Sequence, residues 1–175
     1  MVAMPLFRRS PAKDVRADLL AWLDSQGVAG DRRILAWASG EAGDTAAYGL
    51  AGRLVWRSDD GWHQVPWHEI EHASNDGATG ALRFTTTTGE SYELDLADSS
   101  LLSQLVRERV EATILIQRAV TLGGGKAAVV SARRALVGSD AIIWHVSWPP
   151  GITKNSYREL RVQQELDRLQ ADYDV

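Results

Sequence analysis

Between residues 33 and 97 the chain is cut by turn signals so closely spaced that nothing longer than a short strand fits between them. Ser39-Gly40-Glu41-Ala42-Gly43-Asp44, Ala51-Gly52, Asp59-Asp60-Gly61, Ser74-Asn75-Asp76-Gly77 and Gly89-Glu90 punctuate the segment. Ala51-Gly52 is placed as a two-residue hairpin turn, and Asp59-Asp60-Gly61 is the stronger signal of the same kind. Residues 33–38 are largely apolar, and residues 46–50, 53–57 and 62–65 read as further strands. Leu82, Phe84, Thr86 and Thr88 alternate with Arg83, Thr85 and Thr87, as do Tyr92, Leu94 and Leu96 with Glu93 and Asp95. That period of two predicts half-buried strands, where threonine is at home.

Helical patterns flank this region. Ser10-Pro11 offers an N-cap and a first-turn proline, and Val15, Leu19, Trp22 and Leu23 form one stripe that Gly27 stops. Asp98 or Ser99 caps a long helix over residues 101–118. Its stripe is Leu101, Leu102, Leu105, Val106, Val110, Ile114 and Ile116, with Arg107, Glu111 and Arg118 opposite. Arg109 projects into the middle of that stripe, either with its stem packed and its head in water or as a binding residue. Gly123-Gly124-Gly125-Lys126 reads as a flexible connector. Residues 127–132 follow as a strand, and Ile142, Trp144, Val146 and Trp148 share a face opposite Ile143 and His145. After Pro149-Pro150-Gly151, Ser156 and Glu159 form a capping box for a last helix with Val162, Leu166, Leu169 and Tyr173 on its stripe.

The fold class expected is therefore α+β: an antiparallel barrel or sandwich capped by a long helix, with an N-terminal helix and a C-terminal hairpin plus helix. The chain divides into an N-terminal helical arm (1–32), a barrel with its capping helix (33–120), and a hairpin and helix (121–175) packed on the same domain. Its 175 residues, 45% hydrophobic and 24% charged, suffice for one core. Cysteine is absent, which removes disulfides and thiolate chemistry and suits a reducing cytoplasm. Residues 1–10 carry Arg8 and Arg9 without an apolar run behind them, unlike a signal peptide. No stretch approaches the roughly 18 apolar residues of a membrane span. The 16 Arg against 3 Lys point to a GC-rich bacterial genome. Net charge is −4 overall, but residues 34–97 alone carry −7 and residues 98–154 carry +3. An acidic middle repels phosphate backbones and anionic headgroups, which weighs against nucleic acid and anionic membrane as partners.

One motif carries sharp chemistry. His68-Glu69-Ile70-Glu71-His72 satisfies H-E-x-x-H, in which two histidines hold zinc and the glutamate is the base. The chemistry needs a helix, where residues four apart lie about 6 Å from one another; on a strand they lie about 13 Å apart. Pro66 and Asn75-Asp76-Gly77 leave room for two turns at most, and the only later histidine is His145 on an expected strand. The favoured reading makes this stretch a strand or short turn with Trp67 and Ile70 in the core. A zinc-dependent hydrolase using His68, His72 and Glu69 is the alternative. Gly123-Gly124-Gly125-Lys126 departs from a phosphate loop at Val120 and Ala127, and no G-x-S-x-G elbow occurs. Of seven Trp, Trp22, Trp37 and Trp56 sit in apolar patterns, whereas Trp62, Trp67, Trp144 and Trp148 lie near strand ends, where aromatics also serve interfaces.

Gly52-Arg53-Leu54-Val55-Trp56, the segment Val65-Pro66-Trp67-His68-Glu69-Ile70-Glu71-His72-Ala73 and the helix after the strands resemble the pleckstrin-homology-like (PH-like) superfold in its bacterial and GRAM-like variants. Pro-Trp-x-x-Ile together with the helix Leu102 to Val110 also resembles an actinobacterial protein family of unassigned role. The resemblance implies a barrel of about six or seven short antiparallel strands, its open end plugged by the helix from Leu101, and carries over no catalytic residues. Lipid-binding members use a basic loop between the first two strands; here that loop, residues 39–44, has Glu41 and Asp44 and no Lys or Arg. The expectation is a cytoplasmic, non-enzymatic binding module without a cofactor, engaging a protein partner or a second copy of itself through Trp62, Trp67, Trp144, Trp148 or Arg109. A membrane-surface adaptor using Arg8, Arg9 and the first helix is a further alternative.

Overall fold

The computed structural model describes residues 13–28, 32–43 and 45–173, and the chain is α+β. The first sheet runs β1 (Ala36–Ser39), β2 (Ala46–Gly49), β3 (Arg53–Ser58) and β4 (Gly61–Pro66), antiparallel and in chain order. The turns fall where the sequence places them. Leu50 N–H donates to Arg53 O at 2.9 Å around Ala51-Gly52. Ser58 pairs with Gly61, whose φ of 120° supplies the backbone that Asp59-Asp60 needs to reverse. This sheet is buried on both faces, which explains the unbroken apolar runs of its central strands. Leu54, Trp56 and Ala47 face the main core, while Val55, Tyr48 and Ala46 face α1 (Lys13–Ser25) through Leu19 and Leu23. That helix ends as Gly27 implies. Val28 N–H bonds Leu23 O and Gly27 N–H bonds Asp24 O, with Gly27 at φ 63°. Its expected start at Ser10-Pro11 lies outside the described residues, as does Asp44 of the first loop.

Pro66 closes β4, a single 3₁₀ turn covers Trp67–Glu69, and the second sheet follows as β5 (Ile70–Asn75), β6 (Leu82–Thr86) and β7 (Ser91–Leu94). Leu82, Phe84 and Thr86 are buried and Arg83 is exposed, in the alternation read from sequence. Helix α2 (Ser100–Thr113) packs on β5, β1, β2 and the 3₁₀ turn, burying Leu102 and Val106 in the core shared by both sheets. Among the described residues the sheets are three separate antiparallel units and do not close into a barrel.

Beyond α2 the chain departs from expectation. The helix stops at Thr113 rather than at 118, and Ile114 and Ile116 belong to β8 (Ile114–Gly123). Branched side chains at 113, 114 and 116 favour an extended backbone, and the buried positions then recur every second residue at Val120 and Leu122. Gly123-Lys126 is a hairpin turn, not a loose connector: Gly124 and Gly125 at φ 62° and 72° link β8 to β9 (Lys126–Arg134). With β10 (Ile142–Ser147) the order is β10-β9-β8, and α3 (Ser156–Tyr173) covers one face. Val120, Leu122, Ala128, Val130, Val162 and Leu169 form a core of their own, flanked by Trp144, Val146 and Trp148. The boundary expected at residue 120 thus falls inside β8. The cap of α3 also moves by one: Asn155 Oδ1 accepts from Arg158 N–H at 2.9 Å, in place of the Ser156–Glu159 box.

Candidate functional site

His68 and His72 do not share a helix. Pro66, at φ −63° and ψ 146°, enters the 3₁₀ turn extended, and Ile70, at φ −84° and ψ 115°, leaves it extended. His68 therefore stands on the turn and His72 on β5. His68 is mostly buried with Nε2 3.8 Å from Glu69 Oε1, while His72 is exposed. Burial pushes the His68 imidazole below its ordinary pKa; Glu69 opposes the shift, and Arg133 and Arg53 add to it. Among the described residues no three His, Asp or Glu side chains converge on a metal position. The helix on which a zinc pair and a Glu69 base depend is absent, because one proline and two extended residues leave space for a single turn. Trp67 and Ile70 are fully buried, as the core reading of this stretch requires.

The same stretch takes part in a polar cluster that its letters do not announce. The β5–β6 register shifts between Ile70 and His72, a β-bulge at Glu71. A bulge re-aims side chains that strict alternation would send to opposite faces, and Glu71 and His72 both line one cleft of about 210 Å³. Across it lies the face of the third sheet that α3 does not cover, contributing Gln117, Ser131, Arg133, His145 and Ser147. Arg133, only 4% exposed, donates from Nη1 to Ile70 O at 2.5 Å and to His68 O at 3.5 Å. Ser147 Oγ donates to Glu71 Oε1, and His145 Nε2 lies 3.7 Å from Glu71 Oε2. Arg133 Nε and His145 Nε2 are buried and have no hydrogen-bond partner among the described residues. Burial pushes the His145 pKa down; Glu71 works against that shift, and Arg133 adds to it.

A second concavity, of about 510 Å³, lies between β5 and α2. It is lined by Ala73, Ser74, Asn75 and Leu82 on the sheet and by Ser100, Ser103, Gln104 and Arg107 on the helix. Among the described residues β5 is an edge strand, bonded to β6 alone. Asp76 N–H bonds Ala81 O, and Ser74 pairs with Arg83 in the same alternation. The backbone groups of Ala73 and Asn75, two of the residues lining the groove, consequently point away from β6. Ser99, the N-cap residue of α2, turns its hydroxyl to Gly80 O at 2.7 Å and Asn75 Oδ1 at 3.2 Å, fixing the helix start against the end of β5.

The remaining interaction candidates are mostly engaged within the chain. Trp67 is core. Trp62 stacks on Trp22 with ring centroids 6.0 Å apart, and Arg57 lies over its ring. Trp144 and Trp148 pack on the core beneath α3, with Lys154 5.1 Å from the Trp148 ring centroid. Arg109 is half-buried on α2 and lines neither concavity. Arg133 and Ser147 were not singled out by sequence. The available signal was Arg133-Arg134 within a strand, where one of two consecutive arginines must face inward. Comparisons with protein-family models, with curated proteins and with solved structures find nothing that matches this chain.

Proposed function

We propose that this protein is a non-enzymatic, cytoplasmic binding module of PH-like design that takes an extended segment of a protein partner along the open edge of β5, beside α2. The strand order supports the PH-like part of the reading: a four-stranded sheet, a three-stranded sheet and then a helix packed on both. The observation that carries the binding role is the β5–α2 groove, where a sheet edge with outward backbone groups adjoins a wall of Ser100, Ser103, Gln104 and Arg107. An added strand gains main-chain hydrogen bonds at such an edge, and pockets beside it select alternate side chains. Arg107 favours an acidic residue in the incoming segment.

Selection of binders from a displayed library of linear peptides, followed by titration of the best ones, tests this. Ala73→Pro removes an outward N–H while sparing the β5–β6 ladder, and Ser103→Trp fills the groove. Each is expected to weaken binding by at least about tenfold, or about 1.4 kcal/mol. Folded variants that bind as tightly as the parent, or selected peptides that map elsewhere, would remove the reading. Light scattering shows whether a second copy uses the same edge, since Ala73→Pro would then abolish the dimer.

A further inference from the structure

We infer that the cleft between β5 and the third sheet binds a small zwitterion of the α-amino acid class, its ammonium at Glu71 and His145 and its carboxylate at Arg133. The cleft shares no lining residue with the β5–α2 groove, so the inference does not depend on what that groove takes. Its floor follows from strand register. Gln117 on β8 pairs with Ser131 on β9, and Ser131 pairs with His145 on β10, which sets three polar side chains in a row across one face of the sheet. Arg133 stands two residues along β9 from Ser131 and shares that face. The wall comes from β5, whose bulge brings both Glu71 and His72 to the cleft.

The polar groups are held in place by the chain itself. Ile70 O and His68 O fix Arg133 Nη1, and Ser147 Oγ holds Glu71 Oε1. That leaves Glu71 Oε2, His145 Nε2 and the Arg133 Nε–H. Oε2 and Nε2 lie 3.7 Å apart, beyond the roughly 3.2 Å reach of an N–H···O bond. Two acceptors at that spacing can both receive from one nitrogen about 2.9 Å from each, and an ammonium has protons for both. It selects the tautomer in which His145 Nε2 accepts. Arg133 is almost wholly buried, so its Nε–H is costly without an acceptor, which the ligand carboxylate supplies. Gln117, exposed at the rim, donates to the second carboxylate oxygen. Charge narrows the class further. One carboxylate and one guanidinium balance in the cleft; a plain anion would meet Glu71 and a plain amine would meet Arg133, whereas a zwitterion suits both. The volume of about 210 Å³ is below the roughly 300–1,000 Å³ of sites for drug-sized ligands. The two charged ends must therefore be close, as they are on one α-carbon. Val129 on the floor, paired with Ala119, favours a short aliphatic side chain on the ligand.

Titration of the full chain with free amino acids, read in the long-range proton–nitrogen spectrum of its four imidazoles, tests the site. A short aliphatic amino acid is expected to move the His145 resonances and not those of His63, with a Kd of about 1 mM or tighter. Blocking the ligand's ammonium by N-acetylation, or its carboxylate by amidation, should weaken binding about tenfold or more in each case. Glu71→Gln keeps an acceptor for Ser147 but loses the charge, and Gln117→Glu sets a carboxylate against the ligand's own; each should weaken binding to the same degree. Asp172→Asn on α3, which covers the opposite face of the sheet, should leave binding unchanged. Gln117 is exposed, so its variant decides the matter should Glu71→Gln not fold. The site is overturned if no amino acid moves His145 at concentrations up to about 10 mM. A blocked derivative that binds as tightly as the free amino acid overturns it too, as does Gln117→Glu without effect.

Discussion

Trp67 shows how much of this fold hangs on single contacts. It has no exposed surface, its indole N–H donates to Leu50 O at 3.0 Å, and its own N–H reaches Gly52 O at 3.3 Å. One residue therefore ties the corner between the first two sheets to the β2–β3 turn. Trp67→Ala removes the ring and orphans a buried carbonyl, so a loss of about 3–5 kcal/mol is expected in urea unfolding. Trp67→Phe refills part of the space and still strands Leu50 O, at about 1–3 kcal/mol. Glycines differ at this scale for a reason no composition count reveals. Gly43 and Gly80 share φ 77°, but among the described residues a Cβ on Gly43 has no neighbour within 4 Å, whereas one on Gly80 would lie 2.1 Å from Leu96 O. Gly43→Ala should cost about 1–2 kcal/mol for the left-handed backbone alone. Gly80→Ala should cost clearly more, because the residue it strikes is backbone leading into α2.

Elements were legible where local signals agreed with one another. The hairpin turns at Ala51-Gly52 and Asp59-Asp60, the period of two in β6, and the Gly27 stop of α1 each satisfied a backbone requirement within a few residues. Two local readings failed where a longer-range preference decided. In α2, Ile114 and Ile116 continue the helical stripe on paper, yet they pair with Arg133 and Ala132 on β9. A hairpin partner supplies what an exposed last turn of helix cannot. Gly123-Gly124-Gly125 looked like a connector because strand β8 before it went unseen. The turn predicts its own substitutions. Gly124→Asn keeps access to positive φ and should leave the melting temperature within a few degrees of the parent, whereas Gly124→Val should destabilise by about 1–2 kcal/mol. At the start of α3, Asn155→Ala should cost about 0.5–2 kcal/mol and Ser156→Ala much less, reversing the order a Ser-x-x-Glu box implies. The polar cluster was illegible for a different reason. Glu71 lies more than 60 residues of chain from both Arg133 and Ser147, and a bulge rather than an alternation aims it.

The molecule as a whole is two cored bodies joined through a polar seam. Helix α2 and the first two sheets bury one cluster, the third sheet and α3 bury another, and the chain passes from one to the other without a linker at Thr113–Ile114. Charge follows the same division: residues 34–113 carry −8 and residues 114–175 carry +2, so the seam unites opposite signs. The C-terminal body also has internal ties, with Arg158 Nε bonded to Leu122 O at 3.2 Å and Lys126 Nζ to Pro150 O at 3.1 Å. Separate cores joined by few apolar contacts open separately. Leu169, 2% exposed on α3, is the place to test that. Leu169→Ala should destabilise its own body by about 2–5 kcal/mol. Exchange in β8, β9 and β10 should then quicken, while β2 and β3 stay as protected as in the parent. Had the two bodies a common core, the loss would spread evenly, and amides of all three sheets would exchange at one new global rate. Which pattern appears decides whether the seam can yield without unfolding the β5–α2 groove, and the groove must survive for a partner strand to use it.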